Sequence, residues 1–456
     1  MRKTTRRKFL QKSTAVGFLV GAPTIWTRST SFAQEANSRP TIAAIGVGGS
    51  RGRYNRGGQI ARQAAEFGQM IACCDVDDLH SAEFNANFDN QLNLYRDYRE
   101  LFDKETPDIV TIGTPDHWHV PIATAALHAG SDVYCEKPLT LTIQEGIDIC
   151  QAVEETGRIF QVGTQQRSEC DLWFLKAIAM VQSGRLGNNV NAYVAIGGSD
   201  TGGPFKSTEA PSNLDWNLWL GPAPEVGYSE ERRRMFRWWF EYSGGKLTDW
   251  GAHHIDIAQW ALGCQNTGPL QISGNGRFPP IVPDNFDWNT YLDGQIKLPN
   301  GYNTPTEFSI DLEMATGSVI NVSHHYRREE NNIDFGNGIL FEGDDGRIFV
   351  NRGKVTGKPV EDLTEADHKE LDDLVVKLYQ GRTPGNHMKN FFQCVEERMQ
   401  PVSDVFTHHK TMTSCHLCNI MMMLGRSLSW DPEVEQFIGD DQANALMSRH
   451  RREGFV

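Results

Sequence analysis

The sequence predicts an α/β protein in which a doubly wound parallel sheet is followed by a larger, mainly antiparallel open sheet. The chain has 456 residues, of which 39% are hydrophobic, and 43 glycines, which fits two globular domains with substantial cores. As far as residue 162, short apolar runs alternate with helical stretches, a pattern typical of a parallel sheet covered by helices. After residue 163 the strands are separated by long loops rich in Trp, Gly and Pro, which favours antiparallel pairing.

The first 33 residues have the layout of a twin-arginine export signal. Arg6 and Arg7 precede an uncharged stretch over residues 13–26, and Ala33 ends a small-residue cleavage site. The uncharged stretch is too short to span a membrane. We therefore expect residues 1–33 to be removed on export, leaving a periplasmic protein with no stable membrane association.

Strands and helices then follow in two domains. The N-terminal domain, residues 34–162, is predicted to contain the strands Thr41–Ile45, Met70–Cys74, Ile109–Ile112, Asp132–Cys135 and Ile159–Val162. The C-terminal domain, residues 163–456, is predicted to contain a helix over Leu172–Ser183, the strands Val190–Ile196, Leu292–Leu298, Thr306–Met314, Ser318–His325 and Ile339–Val350, and a helical region over Asn386–Ser427.

The charge and the cysteines argue against several classes of protein. The formal net charge is −14, and the signal carries seven basic and no acidic residues, so the mature chain is more acidic still. This balance argues against nucleic acid or an anionic membrane as a partner. The nine cysteines lack the density of a disulfide scaffold, so we expect mostly buried free thiols. Cys415 and Cys418 have the spacing of a redox or metal pair, but their Met-rich apolar surroundings favour a core position and no metal.

The loop after the first strand predicts a dinucleotide site. It reads Gly46-Val47-Gly48-Gly49-Ser50-Arg51-Gly52, in which the glycines let the backbone approach a pyrophosphate. The loop departs from G-x-G-x-x-G because its last glycine, Gly52, arrives one residue late. Asp75 closes the second strand, where an acid binds the ribose hydroxyls and repels a 2′-phosphate, so NAD is favoured. Arg51 and Arg53 keep NADP open as the alternative.

Two further motifs follow the next predicted strands, at the edge where open parallel sheets bind ligands. The first, Thr114 to His119, offers Thr114, Pro115 and His119 as cofactor-binding residues, and the second is Glu136-Lys137-Pro138. Lys137, held between Glu136 and a proline, can place an ammonium near the nicotinamide and lower the pKa of a reacting hydroxyl. A surface salt bridge is the alternative interpretation of this lysine.

A third motif runs from Gly244 to Asp256. On a helix, Asp249, His253 and Asp256 share one face and His254 points aside. An acid one turn before a histidine can fix its tautomer and stabilise its charged form, so His253 could accept a hydroxyl proton. A helix-capping aspartate with a structural histidine, or a zinc site of His253, His254 and Asp256, are the alternatives.

Together these motifs resemble those of the Gfo/Idh/MocA family, named after glucose–fructose oxidoreductase, inositol dehydrogenase and a rhizopine-catabolism protein. The resemblance covers essentially all of the mature chain. It implies an N-terminal Rossmann domain, a C-terminal α/β domain whose open sheet often mediates homodimers or homotetramers, and hydride transfer on sugars or cyclitols. It also implies that Lys137, Asp249 and His253 form the catalytic group, with His253 as the acid/base.

The export signal makes the chain similar to exported members of that family, among them periplasmic oxidoreductases and NAD-dependent α-N-acetylgalactosaminidases that hold their cofactor tightly. Substrate-binding residues are predicted in the aromatic cluster before the third motif, at Arg237, Trp238 and Tyr242, and in the motif itself, at His254 and Asp256. A buried structural cluster is the alternative for the aromatic residues.

Three functions follow from this sequence. The first is a periplasmic NAD-dependent oxidoreductase that acts on a hydroxyl of a sugar, glycoside or cyclitol. The second is a glycosidase or lyase that oxidises the sugar transiently, which requires a second acid/base such as Tyr242 or His254. The third is a cofactor- and sugar-binding protein without turnover. Net redox change separates the first from the second, because the glycosidase consumes no electron acceptor.

Overall fold

The structure, a computed structural model, describes residues 39–48 and 55–455. The predicted export signal lies outside these residues, as do Gly49, Arg51 and Gly52 of the glycine-rich loop. In the part of the chain that is described, no helix is both long enough and apolar enough to cross a membrane.

The N-terminal sheet has six parallel strands in the order β3-β2-β1-β4-β5-β6. The strands are β1 (Thr41–Ile45), β2 (Gln69–Cys74), β3 (Asn93–Tyr95), β4 (Ile109–Ile112), β5 (Asp132–Cys135) and β6 (Phe160–Val162), and the helices are α1 (Arg56–Ala65), α2 (Asp78–Asn85), α3 (Tyr98–Lys104), α4 (His119–His128) and α5 (Ile143–Thr156). The strand order reverses between β1 and β4, and sheets of this kind bind ligands in the crevice outside the carboxyl ends of the strands on either side of the reversal. The predicted doubly wound Rossmann sheet is confirmed, with the short strand β3 as an addition.

The C-terminal sheet has nine strands in the order β15-β14-β13-β7-β10-β9-β8-β16-β17. Its strands are β7 (Asn191–Ala195), β8 (Pro269–Arg277), β9 (Glu307–Met314), β10 (Val319–Ser323), β13 (Gly338–Gly343), β14 (Gly346–Asn351), β15 (Lys354–Thr356), β16 (Leu428–Asp431) and β17 (Gln436–Phe437), while β11 (Tyr326–Arg328) and β12 (Ile333–Phe335) form a separate ribbon. Strands β7 and β10 pair in parallel and the other neighbours pair antiparallel, so the predicted large, mainly antiparallel sheet is confirmed.

Helices cover one face of this sheet and form the main core with it. The helices after α5 are α6 (Trp173–Gln182), α7 (Trp216–Leu220), α8 (Glu230–Arg234), α9 (Gly245–Asp249), α10 (Gly251–Ala261), α11 (Trp288–Leu292), α12 (Lys358–Glu361), α13 (Glu365–Leu378), α14 (His387–Glu397), α15 (Val405–Leu424) and α16 (Asp441–Ala445). Cys415 and Cys418 are buried on α15, and all nine cysteines are free thiols.

Two sequence predictions in this domain are wrong. Residues 292–298 are not a strand, because Asp287 caps the short helix α11 that ends at Leu292. Residues 339–350 form two strands instead of one, because the chain reverses between Gly343 and Gly346 to pair β13 with β14. At Gly346 the backbone φ is +158°, close to the extended range.

A long excursion between β7 and α9 carries four of the eleven tryptophans. We call residues 205–242 the strap. It has a hydrophobic cluster of its own, apart from the two sheet cores, which contains Trp219, Tyr228, Trp239 and Tyr242. The strap crosses from the C-terminal domain to the carboxyl edge of the N-terminal sheet, where the site described next is found.

Candidate active site

A cavity of about 370 Å³ opens at the carboxyl ends of β1, β2 and β4. Five residues predicted to bind a cofactor line it, namely Gly46, Gly48, Asp75, Thr114 and Pro115. Both glycines have a positive φ, +73° at Gly46 and +58° at Gly48, which side chains rarely adopt. A Cβ on Gly46 would also lie 2.5 Å from Cγ2 of Thr114. The backbone is therefore shaped for close approach by a ligand.

The glycine that allows α1 to pack against β1 is Gly57. An ideal Cβ at Gly57 would lie 1.8 Å from the carbonyl oxygen of Gly46, and one at Gly113 would lie 2.3 Å from Cα of Gly57. Close packing of helix against strand is the role of the third glycine in a dinucleotide-binding fingerprint. Gly57 fills that role here, because α1 begins only at Arg56, whereas the late glycine of the predicted loop, Gly52, lies outside the described residues.

Asp75 connects the glycine loop with the segment that follows β2. Its Oδ2 accepts a hydrogen bond from the backbone N–H of Gly48 at 3.0 Å, and its Oδ1 accepts one from the N–H of Asp77 at 3.0 Å. Nδ1 of His80 lies 3.5 Å from Oδ1. Asp75 is thus held at the edge of the cavity, where the sequence predicted the acid that binds the ribose.

His119 and Glu136 lie outside the cavity lining and make contacts that connect the loops after the strands. Nδ1 of His119 lies 2.7 Å from the carbonyl oxygen of Pro138, and Nε2 lies 2.9 Å from that of Thr114. Each ring nitrogen of His119 thus faces a carbonyl oxygen, and a carbonyl oxygen can only accept a hydrogen bond. Oε1 of Glu136 accepts from Nε of Arg56 at 2.9 Å. Both residues shape the site from buried positions and do not line the cavity.

Lys137 meets Asp249 across the two domains. Nζ of Lys137 donates to Oδ1 of Asp249 at 2.6 Å and to the backbone oxygen of Asp249 at 3.1 Å. Nε of Arg237 lies 3.3 Å from the same Oδ1. Although burial raises the pKa of this carboxyl, Lys137 and Arg237 outweigh it and hold the pKa of Asp249 below its ordinary value. Asp249 is ionised and fixes the position of the Lys137 ammonium.

His253 lies one turn further on, and its partner differs from the prediction. Trp250 separates α9 from α10, and among the described residues Asp249 makes no hydrogen bond to His253. Nδ1 of His253 is buried without a hydrogen-bond partner in the described structure. Burial, with the positive charges of Lys137 and Arg352, holds the pKa of His253 well below its ordinary value. The imidazole is therefore neutral, and Asp249 does not orient it.

His254 is packed inside the C-terminal domain. It is fully buried, with Nδ1 at 3.3 Å from Oε1 of Gln166 and Nε2 at 3.2 Å from Oδ1 of Asn337. Burial lowers its pKa to about 4, so the ring is neutral and one of its nitrogens accepts. The amide nitrogen of Gln166 is buried without a partner in the described structure, so a flipped amide would pair it with Nδ1. His254 does not line the cavity, and its contact with a substrate stays a prediction.

Asp256 is likewise engaged in the interior. Its carboxylate receives two bonds from Arg167, at 2.8 Å from Nε and 2.5 Å from the terminal nitrogen, and one from the Thr411 hydroxyl at 3.1 Å. The two charged side chains are 1% and 3% exposed. Asp256 is the partner of Arg167 in a buried ion pair and does not line the cavity, so its contact with a substrate stays a prediction. With His254 and Asp256 engaged in this way, the zinc alternative has no converging ligands, and no group of three His, Cys, Asp or Glu in the described residues is placed to hold a metal.

The aromatic cluster divides between the strap core and the cleft. Tyr242 is fully buried, and its hydroxyl accepts from Arg232 at 3.0 Å, so its role in substrate binding stays a prediction. Trp238 is 7% exposed, with Nζ of Lys246 at 5.6 Å from its ring centroid. Arg237 lines the cavity beside Asp249. Arg237 and Trp238 therefore remain candidates for substrate contact.

The residues of the cavity fit a dinucleotide. Gly46 and Gly48 have backbone angles that side chains rarely adopt, Asp75 lies at the predicted ribose position, and the hydroxyl oxygen of Thr114 is buried without a partner in the described structure. The polar donors and the positive φ angles lie along the crevice in which open parallel sheets bind nucleotides.

Comparison with known proteins agrees with this geometry. Residues 41–164 match the model of an oxidoreductase family with an NAD-binding Rossmann fold, and residues 198–278 and 284–456 match the model of that family's C-terminal α/β domain. The chain belongs to the Gfo/Idh/MocA family of oxidoreductases.

Relatives of this family member act on sugars and cyclitols according to their names. D-Glucoside 3-dehydrogenase of Escherichia coli is 24% identical over 377 residues, which cover 76% of this chain and 97% of the relative. The scyllo-inositol 2-dehydrogenase (NAD⁺) of Bacillus subtilis is 28% identical, but the match covers only 39% of this chain and 41% of the relative.

Solved structures share the fold at low sequence identity. The WlbA dehydrogenase of Bordetella pertussis, in complex with NADH and UDP-GlcNAcA, superposes with a TM-score of 0.56 at 14% identity, covering 86% of this chain and 99% of its own. The myo-inositol 2-dehydrogenase of Lactobacillus plantarum gives a TM-score of 0.51 at 18% identity, with coverage of 86% and 99%.

Proposed function

We propose that this oxidoreductase uses NAD to oxidise a hydroxyl of a sugar, glycoside or cyclitol, and that it keeps its cofactor bound. The observation that carries the proposal is the ammonium of Lys137, held 2.6 Å from Oδ1 of Asp249 and close to the neutral imidazole of His253. A fixed cation beside a neutral base suits the removal of a proton from an alcohol.

Each of these three side chains has one task. Lys137 donates a hydrogen bond to the reacting oxygen and stabilises the negative charge that develops there. His253 is neutral and accepts the hydroxyl proton. Asp249 positions the ammonium and does not touch the base. The nicotinamide, when bound, supplies the hydride acceptor that this chain lacks.

NAD is proposed in preference to NADP because the described cavity offers no spare guanidinium for a 2′-phosphate. Each arginine that lines it pairs with a carboxylate: Arg56 with Glu136, Arg96 with Asp78, Arg233 with Asp77, Arg234 with Glu230, and Arg237 with Asp249. Asp75, at the ribose position, adds a negative charge that repels such a phosphate.

The names of the relatives support a carbohydrate or cyclitol substrate. Arg237 and Trp238, at the junction of strap and cleft, are the proposed substrate contacts. The glycosidase or lyase reaction is less well supported, because the two groups considered for its second acid/base are engaged elsewhere, Tyr242 with Arg232 and His254 with two amides.

We further propose that the protein works in the periplasm after twin-arginine export, and that it assembles as a homodimer or homotetramer. The basis is the sequence of residues 1–33 and, for assembly, the family resemblance. Amino-terminal sequencing of the protein recovered from the periplasm and light scattering of the purified protein test these two proposals.

The function is tested by single turnover. The mature protein is purified without added nucleotide, and its NAD(H) and NADP(H) contents are measured by mass spectrometry after denaturation. Sugars, glycosides and inositols are then added while the absorbance of reduced nicotinamide is followed. Reduction of bound NAD by one class of substrate is the expected result, and release of free sugar without net reduction would instead identify the glycosidase.

His253→Ala should slow that reduction by about 10²–10⁴-fold, the usual contribution of a general base. His128→Ala, at an exposed position on α4, is the matched control and should react like the unmodified protein. An unchanged rate in His253→Ala would remove His253 from the mechanism, and a protein that binds neither NAD nor NADP would remove the proposed function itself.

A further inference from the structure

The strap forms one wall of the cofactor cavity. The cavity is lined on one side by β-strand ends of the N-terminal domain and on the other by strap residues. The strap residues are Pro211, Asn213, Leu214, Leu218, Trp219, Glu230, Arg233, Arg234, Phe236 and Arg237. Open parallel sheets leave this crevice accessible to solvent, so a covered crevice is a feature of this chain that needs a physical account.

The strap is attached first to the segment after β2. The N–H of Asp78 donates to the backbone oxygen of Asn213 at 2.9 Å, and the N–H of Asp215 donates to the backbone oxygen of Val76 at 2.9 Å. Asp77 and Leu214 form an antiparallel bridge between these two bonds. The strap thus adds a short β-like pairing directly beside the end of the second strand.

Asp77 is the buried charge at this attachment. It is 1% exposed, and its carboxylate receives the side-chain amide of Asn213 at 2.6 Å and an ion pair from Arg233. Burial would raise the pKa of Asp77, but the hydrogen bond from Asn213 and the charges of His80 and Arg233 outweigh it and hold the pKa below its ordinary value. An ionised carboxylate at this depth depends on its partners, and two of them belong to the strap.

The same attachment reaches the proposed ribose site. The backbone N–H of Asp77 donates to Asp75, and Asp75 accepts from the N–H of Gly48 in the glycine loop. Three consecutive contacts therefore connect Arg233 on the strap, through Asp77 and Asp75, to the glycine-loop backbone at the proposed pyrophosphate position.

A second attachment lies on the other side of the strand-order reversal, after β4. Nε1 of Trp118 donates to the backbone oxygens of Leu218 and Trp219 at 3.0 and 3.1 Å. Gly221, with φ at +50°, lets the strap lie flat on this indole, since a Cβ there would be 2.1 Å from the ring. The strap is fastened at both ends of the crevice, after β2 and after β4.

We infer that the strap is a clasp that retains the adenosine half of the dinucleotide, with the ion pair of Arg233 and Asp77 as its catch. The inference rests on the proposed NAD site. A dinucleotide placed in the crevice lies under the strap, so it leaves only after one attachment has opened. The attachment after β2 also holds Asp75 through Asp77. Opening this attachment therefore frees the strap from the crevice and at the same time loosens the proposed ribose site.

The test is the rate at which NADH leaves the protein. Purified full-length mature protein is loaded with NADH and mixed with excess NAD⁺, and the fluorescence of bound NADH is followed over time. Arg233→Met removes the catch, and Asn213→Ala is a milder second variant that keeps the ion pair. Arg277→Met is the matched control, because it breaks an ion pair of the same type with Glu307 on the exposed face of the C-terminal sheet.

Arg233→Met should release NADH roughly ten to a thousand times faster, since breaking a buried charge pair acts mainly on dissociation. Asn213→Ala should release it faster by a smaller factor, and Arg277→Met should match the unmodified protein. The NADH fluorescence at saturation should be the same in all four proteins, which shows that the site itself is intact.

Equal release rates in Arg233→Met, Asn213→Ala and the unmodified protein, with NADH bound to all three, would overturn the clasp and leave the NAD site standing. Failure of every protein to bind added NADH would overturn the proposed function, and the clasp with it.

Discussion

Asp256→Asn separates a structural role from a substrate role for the last residue of the third motif. The carboxylate makes two bonds to Arg167 and one to Thr411, and both charged side chains are almost completely buried. Asparagine preserves the shape of the side chain but removes its charge. The guanidinium of Arg167 then stays buried without the negative charge that its Nε and one terminal nitrogen contact in the unmodified protein.

The expected cost follows from that burial. Removing one partner of a buried ion pair costs about 3–5 kcal/mol, whereas a surface pair contributes about 0–1 kcal/mol. Because asparagine can still accept one hydrogen bond, we expect the lower end, about 3 kcal/mol. A loss of this size corresponds to a fall in Tm of roughly 6–12 °C for a cooperative unit of 150–250 residues.

Calorimetry or circular dichroism of the thermal transition measures this directly. Glu397→Gln is the control, because Arg382 also makes two contacts to that carboxylate, but the carboxylate is 47% exposed. Its Tm should stay within about 2 °C of the unmodified protein. If Asp256→Asn melted like the control and instead raised the KM for the sugar, Asp256 would return to the substrate site and our reading of the ion pair would be refuted.

Two further predictions concern the base and the glycine loop. Because the pKa of His253 is held well below its ordinary value, its neutral form persists in acid. The rate of sugar oxidation should therefore not fall between about pH 7 and 6, as it would for an ordinary histidine of pKa about 6.5. Lys137→Met should raise the pKa of His253 and move the acid limb of the pH–rate profile to higher pH. Gly57→Ala should cost about 1–3 kcal/mol or more in unfolding free energy and weaken NAD binding, because its Cβ would lie 1.8 Å from the Gly46 oxygen. Gly353→Ala is the control, because its Cβ would meet nothing nearer than 3.6 Å. Denaturant unfolding and NAD titration should show no change in that control.

The N-terminal sheet was predictable because β1, β4, β5 and β6 are buried on both faces, whereas the exposed edge strand β3 gave no such signal. Three strands, Thr41–Ile45, Ile109–Ile112 and Asp132–Cys135, have the predicted bounds, since their apolar runs end where the chain reaches the sheet edge. The C-terminal strands are harder to predict because one face is covered and the other polar. Residues 292–298 show the difficulty: alternating apolar residues matched a strand, yet the capping oxygen of Asp287 starts a helix just before them.

The residues at the carboxyl edge of the N-terminal sheet were predictable from the sequence, but the partners of the site residues were not. Lys137 and Asp249 are 112 positions apart. Nothing in either motif indicates that the Asp249 carboxylate pairs with Lys137 and not with His253. Asp256 and Arg167 are 89 positions apart and give no sequence signal of pairing. Gly57 could have been found, because a helix that starts at Arg56 needs a small residue beside the first strand.

The pairing of Asp249 with the lysine changes how the three side chains work together. With a carboxylate beside it, a histidine would be easier to charge and would compete as a cation with the ammonium for the same space. In the proposed mechanism the carboxylate holds Lys137, so a fixed ammonium faces the reacting oxygen while the pKa of His253 stays low. A proton accepted by His253 then sits close to the charge of Lys137 and is held weakly, which favours its passage to solvent. The arrangement therefore separates two tasks that a single charged histidine would combine, because the lysine stabilises negative charge on the oxygen and the histidine receives the proton and gives it up.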